Sequence, residues 1–441
     1  MARLAYFSPL PPAPTGIADY SADVLRLLCS VHRVDAFHAQ ERVLESALPA
    51  ACQAHPAEAF AERHARRPYD LAIYQMGNGP AHDFLYDWLP RQPGLLVLHD
   101  LVLHHARARA FLDSPEALAY RHEPSSQERR QAALLPLQRY REELAYNYPR
   151  QAGRLASAQL ETAGRLLPYA YPLFRLPVEA SRATAAHNGF MLRAIREELP
   201  EAALARIAMP MARALVGADA AARIRARHGI AADELVVGSF GLLTPEKRID
   251  TLSRAAARAR ALGTKLRLLL VGPLPDASAH WTHLGELGLR DAAILTGRVP
   301  LDELPLYIEA CDVVVHLRYP SARETSAALL RVLAQGRATV ISDLEHLDEI
   351  PREAVLRADP SDEEGGVLRA ILTLGQSRGE RERLGRRAAE FTARAHSSER
   401  CLATYEAAIE SALRSPAREP RADWPVHWRV TASIAERPSA T

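Results

Sequence analysis

The sequence holds 441 residues, 48% hydrophobic and 24% charged, with 55 basic against 53 acidic side chains. That length exceeds what one hydrophobic core usually serves, so two domains are expected. A formal net charge of +2 supplies no field that would draw the chain onto nucleic acid or a membrane.

The first element is an apolar strand, Leu4–Phe7, which runs into SPLPPAPTG. Its prolines forbid helix until Gly16, after which Ile17, Tyr20, Val24, Leu25 and Leu28 recur at helical spacing with Asp19 in the first turn. This short apolar run, broken by prolines, is neither a signal peptide nor a spanning helix, and no later window reaches the roughly eighteen apolar residues that crossing a bilayer requires. Cys29, Cys52, Cys311 and Cys401 are scattered without Cys-x-x-Cys spacing and read as buried thiols of a reducing compartment. The expected location is the cytoplasm, with peripheral contact at the inner face of the membrane left open.

Val34–Phe37, Leu71–Gln75 and Leu95–Leu98 read as further strands, each ending in a polar turn: Met76-Gly77-Asn78-Gly79 after one, His99-Asp100 after another. From about 115 to 175 the pattern changes to Arg, Glu, Ala, Leu and Tyr without strand alternation, which predicts a helical insertion whose Tyr140, Tyr146, Tyr148, Tyr169 and Tyr171 either line an acceptor groove or lean on lipid or, the preferred reading, pack onto their own domain. The sheet resumes at Ser181–Ala186, a helix follows His187-Asn188, and Ala205–Ala208 closes the series. After a connecting stretch the alternation restarts with strands at Leu235–Phe240, Leu266–Val271 and Ala293–Leu295 and helices at Ile249–Leu262 and Leu304–Ala310.

The stretch Cys311–Asp343, CDVVVHLRYPSARETSAALLRVLAQGRATVISD, organises the second half. It predicts a buried strand at Asp312–Leu317, a polar turn at 318–324, a helix over Thr325–Gln335 closed by Gly336, and a parallel strand at Ala338–Ser342. Such units bind ligands at the carboxyl end of the strand. The turn there offers Arg318, Arg323, Glu324, Thr325 and Ser326 where free N–H groups open a helix, which suits a phosphate and its sugar. A strand at Ala354–Leu356 and three helices up to Leu413 follow. The expected class is α/β, with residues 1–215 and 230–412 forming two doubly wound domains and a tail, 413–441, with Trp424 and Trp428 folding back on the first.

Seven motifs occur in order: FSPLPPAPTGIADYSADVLRLL, YQMGNG, VLHDLVLHH, VGSFGLLTPEKRID, LLLVGP, TGRV and RETSAALLRVLAQGRATVISD. Together they resemble the retaining glycosyltransferases of family four, glycosyl transferases group 1, over about Leu4 to Ile409. The resemblance implies the GT-B fold, two Rossmann-like domains facing a cleft. It also implies a nucleotide diphosphate-sugar donor held by the second, an acceptor glycan, glycolipid or other hydroxyl held by the first, no metal or other cofactor, no nucleic acid partner, and hexosyl transfer with retained configuration.

Transfer requires the leaving nucleoside diphosphate to be stabilised by cations and N–H donors fixed in advance. By resemblance Lys247 is the phosphate-binding lysine, in a chain whose only other lysine is Lys265. The family's Gly-Arg-Leu triplet is here Gly241-Leu242-Leu243, so one cation is missing; Arg318 is its expected substitute and Arg323 the runner-up. Of the family's two glutamates only one is present, because Arg331 stands in place of the second. Glu324 is assigned to the donor sugar or reacting face, and Thr325 and Ser326, which also suit a helix cap, to the phosphates. Arg298 and Val299 are implied to meet the base, with Gly272 shaping the adjoining wall. In the first domain Gly16 lets the loop approach the phosphates without a Cβ, though no dinucleotide fingerprint follows it. By resemblance His99 faces the donor sugar and Asp100 orients it or the acceptor hydroxyl. His99, Asp100, Lys247 and Glu324 are thus the expected catalytic set. Tyr20, Tyr74, Gln75, Asn78 and His104 are acceptor-side candidates, several on position alone. Zinc at His99, Asp100, His104 and His105 is disfavoured because consecutive histidines on a helix diverge. The competing reading is a nucleotide-sugar binding or scaffold protein in which Leu242 and Arg331 mark lost catalysis; a nicotinamide oxidoreductase lacks its glycine fingerprint.

Overall fold

A computed structural model describes all residues except 124, 161–165, 218, 417–418 and 435–441, so parts of the expected insertion and tail lie outside the described residues. The chain divides into two compact units. One holds Met1–Pro210, Ala322–Thr325 and Cys401–Thr441; the other holds Met211–Ser321 and Ser326–Arg400.

The first unit contains a seven-stranded sheet built from β1 (Arg3–Phe7), β2 (Arg33–His38), β3 (Gln53–Pro56), β4 (Leu71–Met76), β5 (Leu95–Leu98), β6 (Ala183–Ala186) and β7 (Leu204–Arg206). Its order is β3-β2-β1-β4-β5-β6-β7, and all pairs are parallel. Strand β3 escaped the sequence reading because QAHP has no apolar run and ends in proline, both tolerable only at a sheet edge. The winding reverses between β1 and β4, which pair with Leu4 beside Leu71. On one face, Phe7 stacks between Phe37 and Tyr74 at centroid distances of 5.0 and 4.9 Å. Trp424 and Trp428 from the tail are buried in the same core. The insertion forms helices at Pro115–His122, Gln127–Asn147 and Ala152–Leu160. Its own small core holds Phe111, Tyr140, Leu144 and Leu155, with Tyr148 and Tyr171 packed against it, and Tyr146 packs on the core of the sheet.

The second unit contains a six-stranded parallel sheet of β8 (Leu235–Phe240), β9 (Leu266–Val271), β10 (Ala293–Leu295), β11 (Val313–His316), β12 (Ala338–Ser342) and β13 (Leu356–Ala358), in the order β10-β9-β8-β11-β12-β13. Its central strands are apolar on both faces because helices such as Ile249–Ala261 and Glu363–Gln376 cover them. The winding reverses here between β8 and β11. Both units are therefore Rossmann-like, and each opens its strand ends at a switch point, where such sheets bind ligands. No described helix is long and apolar enough to cross a membrane.

Candidate functional site

In the second unit the two strands at the switch point deliver a buried cation. After β8, Thr244 turns the chain into a single short turn, Pro245–Lys247, with proline at its first position, and Arg248 leaves it in the left-handed conformation at φ 55°. This geometry tucks Lys247 inward, to 4% exposure. Its Nζ lies 3.2 Å from Nε2 and 3.4 Å from Nδ1 of His316, the last residue of β11. Burial, reinforced by the positive charges of Lys247 and Arg318, holds the His316 imidazole well below its usual pKa. The neutral ring then accepts a hydrogen bond from the ammonium. Two residues on, the Arg318 N–H donates to Ser342 Oγ at 3.0 Å, and that hydroxyl donates to Glu363, which anchors the strand-end turn. Ser326 caps the helix Ala327–Ala334 by accepting from the Leu329 N–H, leaving the remaining first-turn donors at the same sheet edge.

Gly241 and Gly272 hold that edge together by backbone contact. Gly272 has φ 134°, and a Cβ there would lie 1.9 Å from the Gly241 carbonyl oxygen, so no side chain is admissible. Gly272 also donates to the Gly297 carbonyl at 2.9 Å. Gly241 itself has φ 106°, a backbone conformation that favours glycine, and the place a Cβ would take lies in van der Waals contact with Lys247 Nζ, at 3.9 Å. Arg298 is exposed, and Val299 is half-buried against the Phe240 cluster. Leu242, where the resemblance calls for arginine, is 57% exposed.

In the first unit the ends of β4 and β5 carry a buried polar chain. His99 Nε2 meets Gln75 Oε1 at 2.9 Å, Gln75 Nε2 donates to Tyr405 Oη at 3.2 Å, and Tyr405 Oη meets Tyr20 Oη at 2.5 Å. The His99 ring is wedged between Tyr20 and His187, at centroid distances of 4.7 and 4.8 Å. Burial, with help from His187 and His82, drives its pKa far down, so it stays neutral. Accepted by an amide oxygen, the proton sits on Nε2. Asp100 accepts from the Asn78 N–H at 2.9 Å, and Asn78 Oδ1 accepts from the Ala106 N–H at the start of the helix His104–Leu112. Gly16 opens the helix Gly16–Leu28, and a Cβ there would meet nothing within 4 Å.

Four expected acceptor-side contacts are at odds with these placements. Tyr74 faces the core, stacked on Phe7, with its hydroxyl donating to the Gln92 carbonyl at 2.7 Å. His104 is buried in the insertion: Nδ1 donates to the Tyr171 carbonyl and Nε2 accepts from the Tyr140 hydroxyl, both at 2.7 Å. Neither nitrogen is left for an acceptor. Tyr20 and Gln75 are likewise buried, with their polar atoms engaged in the chain that ends at His99. Arg323, the second choice for the missing cation, donates from Nη1 to the Tyr169 carbonyl at 3.2 Å and lies over the Phe190 ring.

Sequence reasoning missed His316, Tyr405 and Asn188. His316 had a signal, a polar residue ending an apolar run, and Asn188 sat in the expected pre-helix position. Tyr405 had none, because a tyrosine on a helical face reads as core. Among the described residues no cluster of three or more His, Cys, Asp or Glu could hold a metal ion.

The fold is GT-B. It superposes on sucrose-phosphate synthase from Thermosynechococcus elongatus with a TM-score of 0.63 at 17% identity, covering 93% of this chain and 98% of that one. It likewise matches Anabaena Alr3699/HepE, solved in complex with UDP and glucose, with a TM-score of 0.61 at 15% identity, covering 93% of this chain and all of that one. Residues 234–376, within the second unit, match the family described as glycosyl transferases group 1. A D-inositol 3-phosphate glycosyltransferase from Stackebrandtia nassauensis is 31% identical over 213 residues, 44% of this chain. The match spans about half of that curated relative's length, 47%.

Proposed function

We propose that the protein is a retaining glycosyltransferase of family four that moves a hexose-type sugar from a nucleotide diphosphate-sugar to a hydroxyl acceptor, without a metal ion. The observation that carries this reading is the buried Lys247 ammonium against neutral His316 at the switch point of the second sheet. A cation fixed before the reaction begins stabilises a diphosphate as its charge builds up, at no cost in reorganisation. The match over residues 234–376, the relative's D-inositol 3-phosphate glycosyltransferase name and the neighbour's bound UDP and glucose all support a nucleotide-sugar donor.

In this reading Lys247 and Arg318 neutralise the diphosphate, and Thr325 and Ser326 supply N–H and hydroxyl donors to it. Arg298 and Val299 meet the base. Glu324 contacts the donor sugar, His99 faces it with Nδ1 as acceptor, and Asp100 orients the acceptor hydroxyl. The bond from the anomeric carbon to the phosphate oxygen breaks, a bond to the acceptor oxygen forms on the same face, and the departing phosphate takes the acceptor's proton. We place the enzyme in the cytoplasm, in keeping with its four free cysteines.

A thermal-shift screen across UDP, GDP and their sugars identifies the donor, because a ligand bound only by the folded state raises its stability. Transfer assays on Lys247→Ala and Glu324→Ala then test the site: both lose turnover while remaining folded, and full activity in both refutes the assignment. Leu242 and Arg331, standing where the family has arginine and glutamate, favour one rival reading, a binding protein without catalysis. Donor binding with neither hydrolysis nor transfer selects it.

A further inference from the structure

Asn188 ends the loop after β6 and is the cap of the helix Gly189–Glu198: its Oδ1 accepts the Met191 N–H at 2.9 Å. The other end of the same amide does something a cap does not require. Nδ2 donates to the Arg323 carbonyl at 3.0 Å and to Thr325 Oγ1 at 3.1 Å. The two ends fix each other. An N–H from Met191 needs an oxygen and the carbonyl of Arg323 needs a donor, so turning the amide over would break the bonds at both ends. The side chain is 2% exposed, so water does not replace what it gives.

What Asn188 grips is a strained piece of chain. Arg323 sits in the left-handed region at φ 63°, where a long side chain is uncommon and costs energy. Other groups share the hold, since the Leu101 N–H donates to the Ala322 carbonyl at 3.1 Å and the Arg323 guanidinium reaches the Tyr169 carbonyl. Of these contacts, the one from Asn188 bonds the residues on both sides of Glu324. With the preceding carbonyl and the following hydroxyl both tied to one rigid amide, Asn188 constrains the backbone from which the Glu324 side chain leaves.

We infer that Asn188 is a positioning residue that aims Glu324 at the donor sugar. The inference rests on the reading of Glu324 given above. Capping and positioning are chemically separable here, because serine and aspartate cap helices as well as asparagine does but cannot donate from the cap position as its amide does. Asn188→Asp keeps an oxygen for Met191 and turns a second oxygen toward the Arg323 carbonyl. Asn188→Ser keeps the cap without adding a charge.

The experiment measures release of UDP from UDP-glucose, with thermal melts, for the wild type, Asn188→Asp, Asn188→Ser, Glu324→Ala and the Asn188→Ser/Glu324→Ala double variant. The expected result is that both Asn188 variants melt somewhat below the wild type, Asn188→Asp the lower, yet remain fully folded at the assay temperature, with kcat reduced about tenfold or more, the scale of loss that small misplacements of a reacting group produce. In the Glu324→Ala background the serine change then costs nothing further. If Glu324→Ala is as active as the wild type, the role of Glu324 fails and this inference falls with it. If Glu324→Ala is impaired but both Asn188 variants turn over normally, or the two losses multiply in the double variant, only the positioning role is overturned. A loss that merely tracks a lowered melting temperature in both variants overturns it too.

Discussion

Lys247 and His316 are a buried pair, 3.2 Å apart, in which a neutral imidazole receives an ammonium. Replacing His316 by leucine removes that acceptor and sets an apolar side chain against the Lys247 charge, whereas glutamine retains an acceptor. We predict that His316→Leu destabilises the protein by about 1–3 kcal/mol, the usual cost of stripping a partner from a buried polar group. His316→Gln costs less. Urea melts rank the two, and if the protein binds a nucleoside diphosphate through this cation, the stabilisation that such a ligand gives falls in the same order.

His104 yields a pH prediction. Burial outweighs its bond to Tyr171 and lowers its pKa to about 4. The unfolded chain takes up this proton near the ordinary value of about 6.5, well before the native state does, so protonation favours unfolding. Its contribution is complete above pH 6.5 and is lost as pH falls toward 4, to a total of about 3 kcal/mol. His99 and His316 act in the same direction, so the wild type alone does not isolate the effect. His104→Gln, whose amide can still donate to Tyr171 and accept from Tyr140, flattens the stability curve below pH 6.5 while leaving stability at pH 7.5 close to wild type. Denaturant melts at pH 7.5 and 5.0 measure the difference.

These two histidines also show where the sequence stopped being readable. The strands, their order of appearance and the two-fold repetition of the sheet followed from apolar runs ending in polar turns, because burial on both faces leaves that mark on a parallel strand. Lys247 and the turn at 318–326 stood at strand ends, which is enough to nominate them. Side-chain direction was not legible in the same way. His99 and His104 both follow β5 within six residues, yet one ends at a strand edge and the other turns into the insertion, and that depends on Tyr140 and Tyr171 arriving from far along the chain. Gln75 and Tyr74 are neighbours on one strand and face opposite sides, so position alone could not choose between them.

Glu143 is the next test of packing. Arg107 grips its carboxylate with two bonds of 2.8 and 2.5 Å, and Trp428 and His427 from the tail add bonds of 2.8 and 2.9 Å. Burial pushes this carboxyl up, but Arg107, assisted by His427, overrides it and holds the pKa at about 2. Glu143→Gln leaves a buried guanidinium without its counter-charge, which costs about 3–5 kcal/mol in comparable pairs. We predict a large fall in melting temperature and protease sensitivity that appears first in the tail around Trp424 and Trp428, read by limited proteolysis with mass spectrometry.

Gly16 and Gly272 separate what a glycine does for the fold from what it does for a ligand. At Gly272 the backbone is left-handed and the Gly241 carbonyl fills the place of a Cβ, so Gly272→Ala forces the two strand ends apart. It is expected to cost stability by more than the roughly 1 kcal/mol of an ordinary glycine replacement, with or without ligand. At Gly16 the conformation is one that any residue adopts, and nothing lies within 4 Å of the place a methyl group would take. Gly16→Ala should therefore leave stability unchanged or raise it by up to about 1 kcal/mol, since alanine restricts the unfolded chain more than glycine does. If the open space at Gly16 is where the donor phosphates approach the loop, the same substitution raises KM for the nucleotide-sugar. A variant that is at least as stable as the wild type and binds donor equally well would show that the space serves no ligand.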